Sequence, residues 1–331
     1  VDHSPPSGVS MSIFDFVTPQ RLRQTYLGGI DLTTDQGSPF SDLLLTDAIK
    51  QAVSSLEMEL GIVIDPLRVV GERHDANSKD RESFWPWHLN HRPVVEMTEV
   101  RLQLGNNPFM VMPLNWFNVI GPEAGQVNLI PTSDSIGSFF FRSGMPLVFG
   151  DVFNPYNNVP GYWGVDYIAG FRFEEGIATI KAGQTSVDVT IPGATLSTKP
   201  LVECEFTGAS NGALYPKMKI AGTKVFTIGV SQAPTQDTQI TWKLTTVEPA
   251  LIKAISLMAS ILPLGVSGNL VAGAGISNFS LGVDGLSQSI STTKSGDAGA
   301  YNALIKQYRA ELDQVIPQLK AKYRAMNIAI I

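Results

Sequence analysis

The residue types that could carry chemistry are sparse and poorly spaced for it. Of the four histidines, His3, His74, His88 and His91, only the last two lie close together, three residues apart within Trp85-Pro86-Trp87-His88-Leu89-Asn90-His91. Two imidazoles at that spacing could share a metal ion, but no HExxH motif accompanies them and Pro86 interrupts the segment, so ordinary surface or core histidines are expected. The run Gly273-Ala274-Gly275-Ile276-Ser277-Asn278 begins like a dinucleotide fingerprint but lacks its third glycine and a preceding strand, and reads as a flexible loop. Neither GxxxxGK[ST] nor an EF-hand loop is present. Glu174-Glu175 are ordinary acidic residues; Glu203 and Glu205 would share one face of a strand, as solvated carboxylates do, and nominate no glycosidase pair. Cys204 is the single cysteine, which excludes an intrachain disulfide and a Cys-based zinc cluster built from one chain. Asn278-Phe279-Ser280 is a glycosylation sequon, relevant only in a secreted eukaryotic protein. No catalytic, cofactor-binding or metal-ligating set is therefore assigned, and an enzyme is not expected.

The elements that would position such residues are better defined. With 331 residues, 44% of them hydrophobic and 16% charged, the chain can bury a substantial core in roughly two domains. A net charge of −6 and a pI near 5.3 argue against a broad cationic surface for gripping nucleic acid, while leaving close passage of nucleic acid possible. The first eight residues are polar with Pro and Gly, without the basic patch and apolar run of a signal peptide, so secretion by that route is not expected. Residues 254–276 carry no formal charge over a length that could span a bilayer. Pro263, Gly265, Gly268, Asn269, Gly273 and Gly275 interrupt them, which predicts a buried helix ending near Leu262 followed by a small-residue loop rather than a span.

Along the chain, residues 1–39 read as an extended arm with short elements, punctuated by Pro19, Gly28-Gly29 and Gly37-Ser38-Pro39. Leu45, Ile49, Val53, Leu56 and Leu60 recur at helical spacing behind a Ser41 or Asp42 cap and before Gly61. From Phe84 to Phe171, aromatic and β-branched residues between Pro, Gly and Asn predict strands and hairpins, including Phe139-Phe140-Phe141 and a final strand over residues 162–171. Residues 173–248 hold at least five alternating segments in about 75 residues, the pattern of a small Ig-like β-sandwich. Pro249 opens a second helix. Tyr301, Leu304, Ile305, Tyr308, Leu312, Val315, Ile316, Leu319 and Tyr323 then form the clearest amphipathic stripe in the chain, which Pro317 should kink or break. A basic end (Lys320, Lys322, Arg324) and an apolar tail, Ile328-Ala329-Ile330-Ile331, follow. Cations suit a helix C-terminus through the dipole, and a basic neck with an apolar tail could equally dock on a partner.

The order of these elements resembles the head-to-tail connector, or adaptor, proteins of tailed bacteriophages. The resemblance rests on the acid-capped helix, Arg92-Pro93-Val94-Val95, the strand end Tyr167-Ile168-Ala169-Gly170-Phe171, and the Pro249 helix Leu251-Ile252-Lys253-Ala254-Ile255. Residues 281–291 and the helix from Tyr301 to Tyr323 also look like the C-terminal region of such neck proteins. It covers residues 40–172 and 249–331; compact members of the family lack a block such as 173–248. It implies an α+β fold, with a helical connector core and β-hairpin subdomain interrupted by the inserted sandwich at an exposed loop. It further implies a structural virion protein without cofactors or membrane: a homo-oligomeric ring of about twelve subunits in the neck, below the portal protein. The ring would extend the channel through which genomic DNA passes and offer a surface to the next neck or tail-completion protein, after assembly in the host cytoplasm. The low net charge suits a channel that must not retard DNA. Carried onto this chain, Tyr301, Ile305, Tyr308, Leu312 and Tyr323 become candidates for ring packing, although core packing also explains that stripe. Lys320, Lys322, Arg324, Ile328, Ile330 and Ile331 become candidates for portal docking. The competing reading is a carbohydrate-binding or adhesion module on a helical oligomerisation stem, using Tyr215 or Trp242 of the sandwich.

Overall fold

The computed structural model describes residues 11–28, 30, 38–77, 87–129, 158–191, 200–207, 212–218, 224–272, 278–283, 286–291 and 301–324. Residues 1–10, Phe139-Phe140-Phe141, the 273–277 glycine run and the tail isoleucines lie outside them. The fold is mixed α+β, and the chain divides into two compact units: residues 1–59 with 247–319, and residues 60–246 with 320–331.

The first unit is mainly helical. Residues 11–27 hold the short elements expected there, but these pack closely instead of forming an extended arm. A 3-10 turn (Ile13–Asp15) starts in a capping box on Ser12, and α1 (Pro19–Arg21) starts on a Thr18 cap and runs into a π-turn (Leu22–Tyr26). Ile13, Phe16, Val17, Leu22 and Leu27 are buried there, which supplies the stabilisation that an extended arm would lack. Helix α2 (Asp42–Leu60) begins where predicted, with the Ser41 hydroxyl accepting the Leu44 N–H. Arg23 ties the π-turn to that cap through Asp42 and the Phe40 carbonyl.

Helix α3 (Pro249–Ala272) corrects the expected stop near Leu262, because it continues through Pro263 and both glycines. Leu264 and Ser267 beyond the proline are buried, so packing offsets the helix-breaking penalty. Ser256 and Ser260 satisfy their buried hydroxyls on the carbonyls of Ile252 and Ser256. By length and composition α3 could cross a membrane, and 61% of its most apolar stretch is buried inside the chain. A hairpin, β14 (Asn278–Val283) and β15 (Leu286–Ser291), precedes α4 (Asn302–Arg324). Helix α4 is continuous across Pro317, so the proline does not break it. Pro317 is exposed, and Leu312, Leu319 and Tyr323 on either side of it are buried. Lys253 of α3 pairs with Glu311 of α4 at 2.8 Å.

The second unit is built from antiparallel sheets. β1 (Leu67–Asn77), β7 (Asn158–Ala169), β3 (Val94–Leu104) and β4 (Asn107–Met112) form one sheet in the order β1-β7-β3-β4. β2 (Trp87–His88), β6 (Gln126–Leu129) and β5 (Phe117–Gly121) form another. One hydrophobic core joins them, with Trp87, Trp163, Tyr162, Tyr167, Val100 and Val127 among its buried residues. The Trp87 and Trp163 rings lie 4.7 Å apart.

Within 173–245, six strands form two three-stranded sheets, in the orders Leu201–Phe206, Thr238–Thr245, Phe173–Ile180 and Leu214–Met218, Val225–Val230, Ser186–Thr190. Their strands are β8 (Phe173–Ile180), β9 (Ser186–Thr190), β10 (Leu201–Phe206), β11 (Leu214–Met218), β12 (Val225–Val230) and β13 (Thr238–Thr245). They share a second core around Ile180, Phe226, Ile228, Ile240, Trp242 and Leu244. Five of these strands follow the alternation in the sequence. β11, which holds Pro216, is not among the five named segments; it runs along a sheet edge, the position at which a strand tolerates proline.

Candidate functional site

Two of the sequence elements that carried the family resemblance, Arg92-Pro93-Val94-Val95 and Tyr167-Ile168-Ala169-Gly170-Phe171, meet in the second unit. The Arg92 carbonyl accepts the Val63 N–H at 2.7 Å, and its guanidinium Nε donates to the Gly61 carbonyl at 2.9 Å. Gly61, just past α2, has a φ of 66°, the left-handed geometry that ends a helix and turns the chain toward Arg92. The next carbonyl, Pro93, accepts the Gly170 N–H at 2.8 Å, and the Phe171 N–H reaches the Ile64 carbonyl at 3.0 Å. Three segments distant in sequence, 61–64, 92–93 and 170–171, are thereby tied by backbone bonds. Gly170 has to be glycine: its φ is 103° and a Cβ would lie 2.6 Å from the Asp65 carbonyl oxygen. The last turn of α4 reaches the same place, with the Tyr323 ring edge-on to Phe171 at 6.0 Å and 89°.

Beside this junction lies a buried carboxylate hub. Both oxygens of Glu72 are engaged: Oε1 by His74 Nε2 at 2.9 Å and the Asn90 N–H at 2.8 Å, Oε2 by the Tyr167 hydroxyl at 2.6 Å. The His91 Nδ1 lies 3.5 Å from Oε2, and the Tyr167 hydroxyl accepts the His91 N–H at 3.0 Å. Burial by itself pushes the Glu72 carboxyl up, but the hydrogen bonds from His74, Tyr167 and Asn90, with the charge of His74, outweigh it and bring it down to about 2. Burial and the Glu72 carboxylate push the Tyr167 phenol well above its usual range. A carboxylate so fully occupied, with a pKa so far from neutrality, suits the joining of β1, β7 and the 90–91 segment; it does not suit proton transfer.

Two histidines distant in sequence meet at this hub. His74 and His91 converge on Glu72, and His74 also stacks on Trp87. Among the described residues, no group of three His, Cys, Asp or Glu side chains is placed to hold a metal ion. Burial, with Glu203 nearby, raises the Cys204 thiol to about 11, so it is protonated at neutral pH.

Glu72 escaped sequence reasoning because its orientation depends on a bulge. The β1–β7 register shifts between Val69 and Glu72, and Gly71 sits there with a φ of 72°, its N–H held by the Asp166 carboxylate at 2.7 Å. In a regular strand Val69 and Glu72 would face opposite sides; the extra residue turns Glu72 to the core side. The available signal was Gly71 inside an alternating run.

The partner-binding candidates on α4 divide into two groups. Tyr308, Leu312 and Tyr323 are buried within the chain, and the Tyr308 hydroxyl donates to the Tyr26 carbonyl. Tyr301, Ile305 and Lys320 are half-buried, while Lys322 is exposed with its ammonium 5.5 Å from the Tyr323 ring centroid. Arg324 ends the helix; Ile328, Ile330 and Ile331 lie outside the described residues. In the 173–245 block Trp242 is buried and Tyr215 half-exposed, its ring laid over Gly229. No family model matches the chain, and no curated protein matches it.

Proposed function

We propose that the chain is a structural virion protein of a tailed-phage neck, forming a ring of about twelve copies between portal and tail and extending the DNA channel. In this reading residues 40–172 and 249–331 are the connector core, and residues 173–248 an inserted Ig-like domain that decorates the collar. The portal protein and the next neck or tail-completion protein are the partners, and the chain end from Lys320 onward supplies the portal contact. The observation that carries the reading is the convergence just described. The Arg92-Pro93 strand start, the Ala169-Gly170-Phe171 strand end and the close of α4 support one another at one junction, so two of the short motifs behind the resemblance are physically joined.

Electron microscopy of the source particles, labelled with an antibody against residues 173–248, tests it. Label at one collar position beneath the head is the expected result. Label at fibre tips would replace the neck reading with the adhesion module, for which half-exposed Tyr215 remains the available aromatic of the two named for it. Absence of the protein from particles would sink both.

A further inference from the structure

Residues 170–172 and 246 form the stem through which the β8–β13 block leaves and rejoins the chain. The Arg172 N–H donates to the Thr246 hydroxyl at 2.9 Å, and the Thr246 N–H returns to the Arg172 carbonyl at 3.1 Å. Arg172 Nε adds a 2.8 Å bond to Glu174 at the start of β8. The residue just before this stem, Phe171, is buried, and its aromatic partner is Tyr323, 152 positions further along and 1% exposed. An edge-to-face aromatic pair contributes stabilisation beyond its buried area, and here it lies where the block's only two covalent connections pass.

We propose that the last turn of α4 is a strap, in which Tyr323 clamps Phe171 and so locks the Arg172–Thr246 stem against hinge motion of the β8–β13 block. With Tyr323 seated, residues 170, 171 and 172 are each held by a hydrogen bond to a different segment: Pro93, Ile64 and Thr246. With Tyr323 withdrawn, Phe171 loses its ring contact and the stem becomes a two-strand hinge, the geometry that lets a domain swing on a few residues. The block keeps its own core in either state, because Phe226, Trp242 and their neighbours pack among themselves. The strap is independent of the neck reading, since it concerns contacts within one chain.

Hydrogen exchange of the full-length chain tests the strap. Tyr323→Ala should speed exchange of the Arg172 and Thr246 amides about tenfold or more, while the β12 amides, Val225–Val230, keep their wild-type rates. Tyr323→Phe, which retains the ring, should leave both sites as in the wild type. Unchanged rates at Arg172 and Thr246 in folded Tyr323→Ala would overturn the strap. So would an equal acceleration throughout β1, β3 and β7, which would make Tyr323 an ordinary core residue. Should Tyr323→Ala fail to fold, Tyr323→Leu keeps apolar bulk without the edge-to-face contact, and the same two amides decide the matter.

Discussion

Arg172 and Thr246 hold each other through two hydrogen bonds, 2.9 and 3.1 Å long, although 73 residues separate them in sequence. Chain ends that meet in this way let a block be added to or removed from a host without moving it. Replacing residues 173–245 with a short Gly-Ser linker should therefore leave the core around Trp87, Trp163 and Tyr167 folded. Retained near-ultraviolet circular dichroism and a cooperative thermal transition would bear this out. Loss of cooperativity would show that the two cores fold as one.

Glu72 offers a pH test with a definite sign. Its carboxyl is depressed from 4.5 to about 2, so its contribution is complete above about 4.5 and is lost as the pH falls toward 2. At about 1.4 kcal/mol per unit, the contribution at neutral pH is about 3 kcal/mol. Glu72→Gln should lower stability at pH 7 by about 2–3 kcal/mol and flatten the loss between pH 4.5 and 2. Denaturant melts of both proteins across that range check it; parallel curves would remove Glu72 as the cause.

Gly170→Ala should be strongly destabilising, by about 2–4 kcal/mol, since the new methyl meets backbone rather than a movable side chain and the φ of 103° disfavours any L-residue. Gly183→Ala is the control: its φ of 78° is also positive, but nothing lies within 4 Å of the added carbon. Its cost should be smaller, about 1 kcal/mol, from backbone strain alone. Equal losses in urea melts would refute the close approach at Asp65.

For the chain end, deleting residues 325–331 should abolish or weaken assembly on the portal about tenfold or more while leaving the monomer's stability unchanged, because the buried Tyr323 is retained. Sedimentation of the truncated chain with purified portal measures this. Unaltered ring formation would remove the tail from the portal contact.

Much of the local structure could be read directly. The Leu45-Ile49-Val53-Leu56-Leu60 stripe gave α2 its bounds because one face of a helix must be buried, and five alternating segments of the 173–245 block became strands for the corresponding reason. The failures share one cause. Pro263 and Pro317 were expected to end or bend helices on local grounds, yet Leu264, Ser267, Leu319 and Tyr323 are buried beyond them, and burial outweighs a lost backbone bond. β11 holds Pro216 and lay outside the five alternating segments; the sheet order places it at an edge.

The same division separates what the sequence determined alone from what tertiary structure decided. Periodicity, caps and composition determined which segments are helices and strands, since those preferences act over a few residues. Which polar groups meet was decided in three dimensions. The bulge at Gly71 turns Glu72 to the core side of β1, and strand pairing then brings Tyr167 to it from 95 positions away, with His91 and Asn90 arriving from the strand connection. The spacing of His88 and His91 carried no information about Glu72, because the partner of His91 is set by that fold, and a buried carboxylate selects its donors by geometry rather than by distance along the chain.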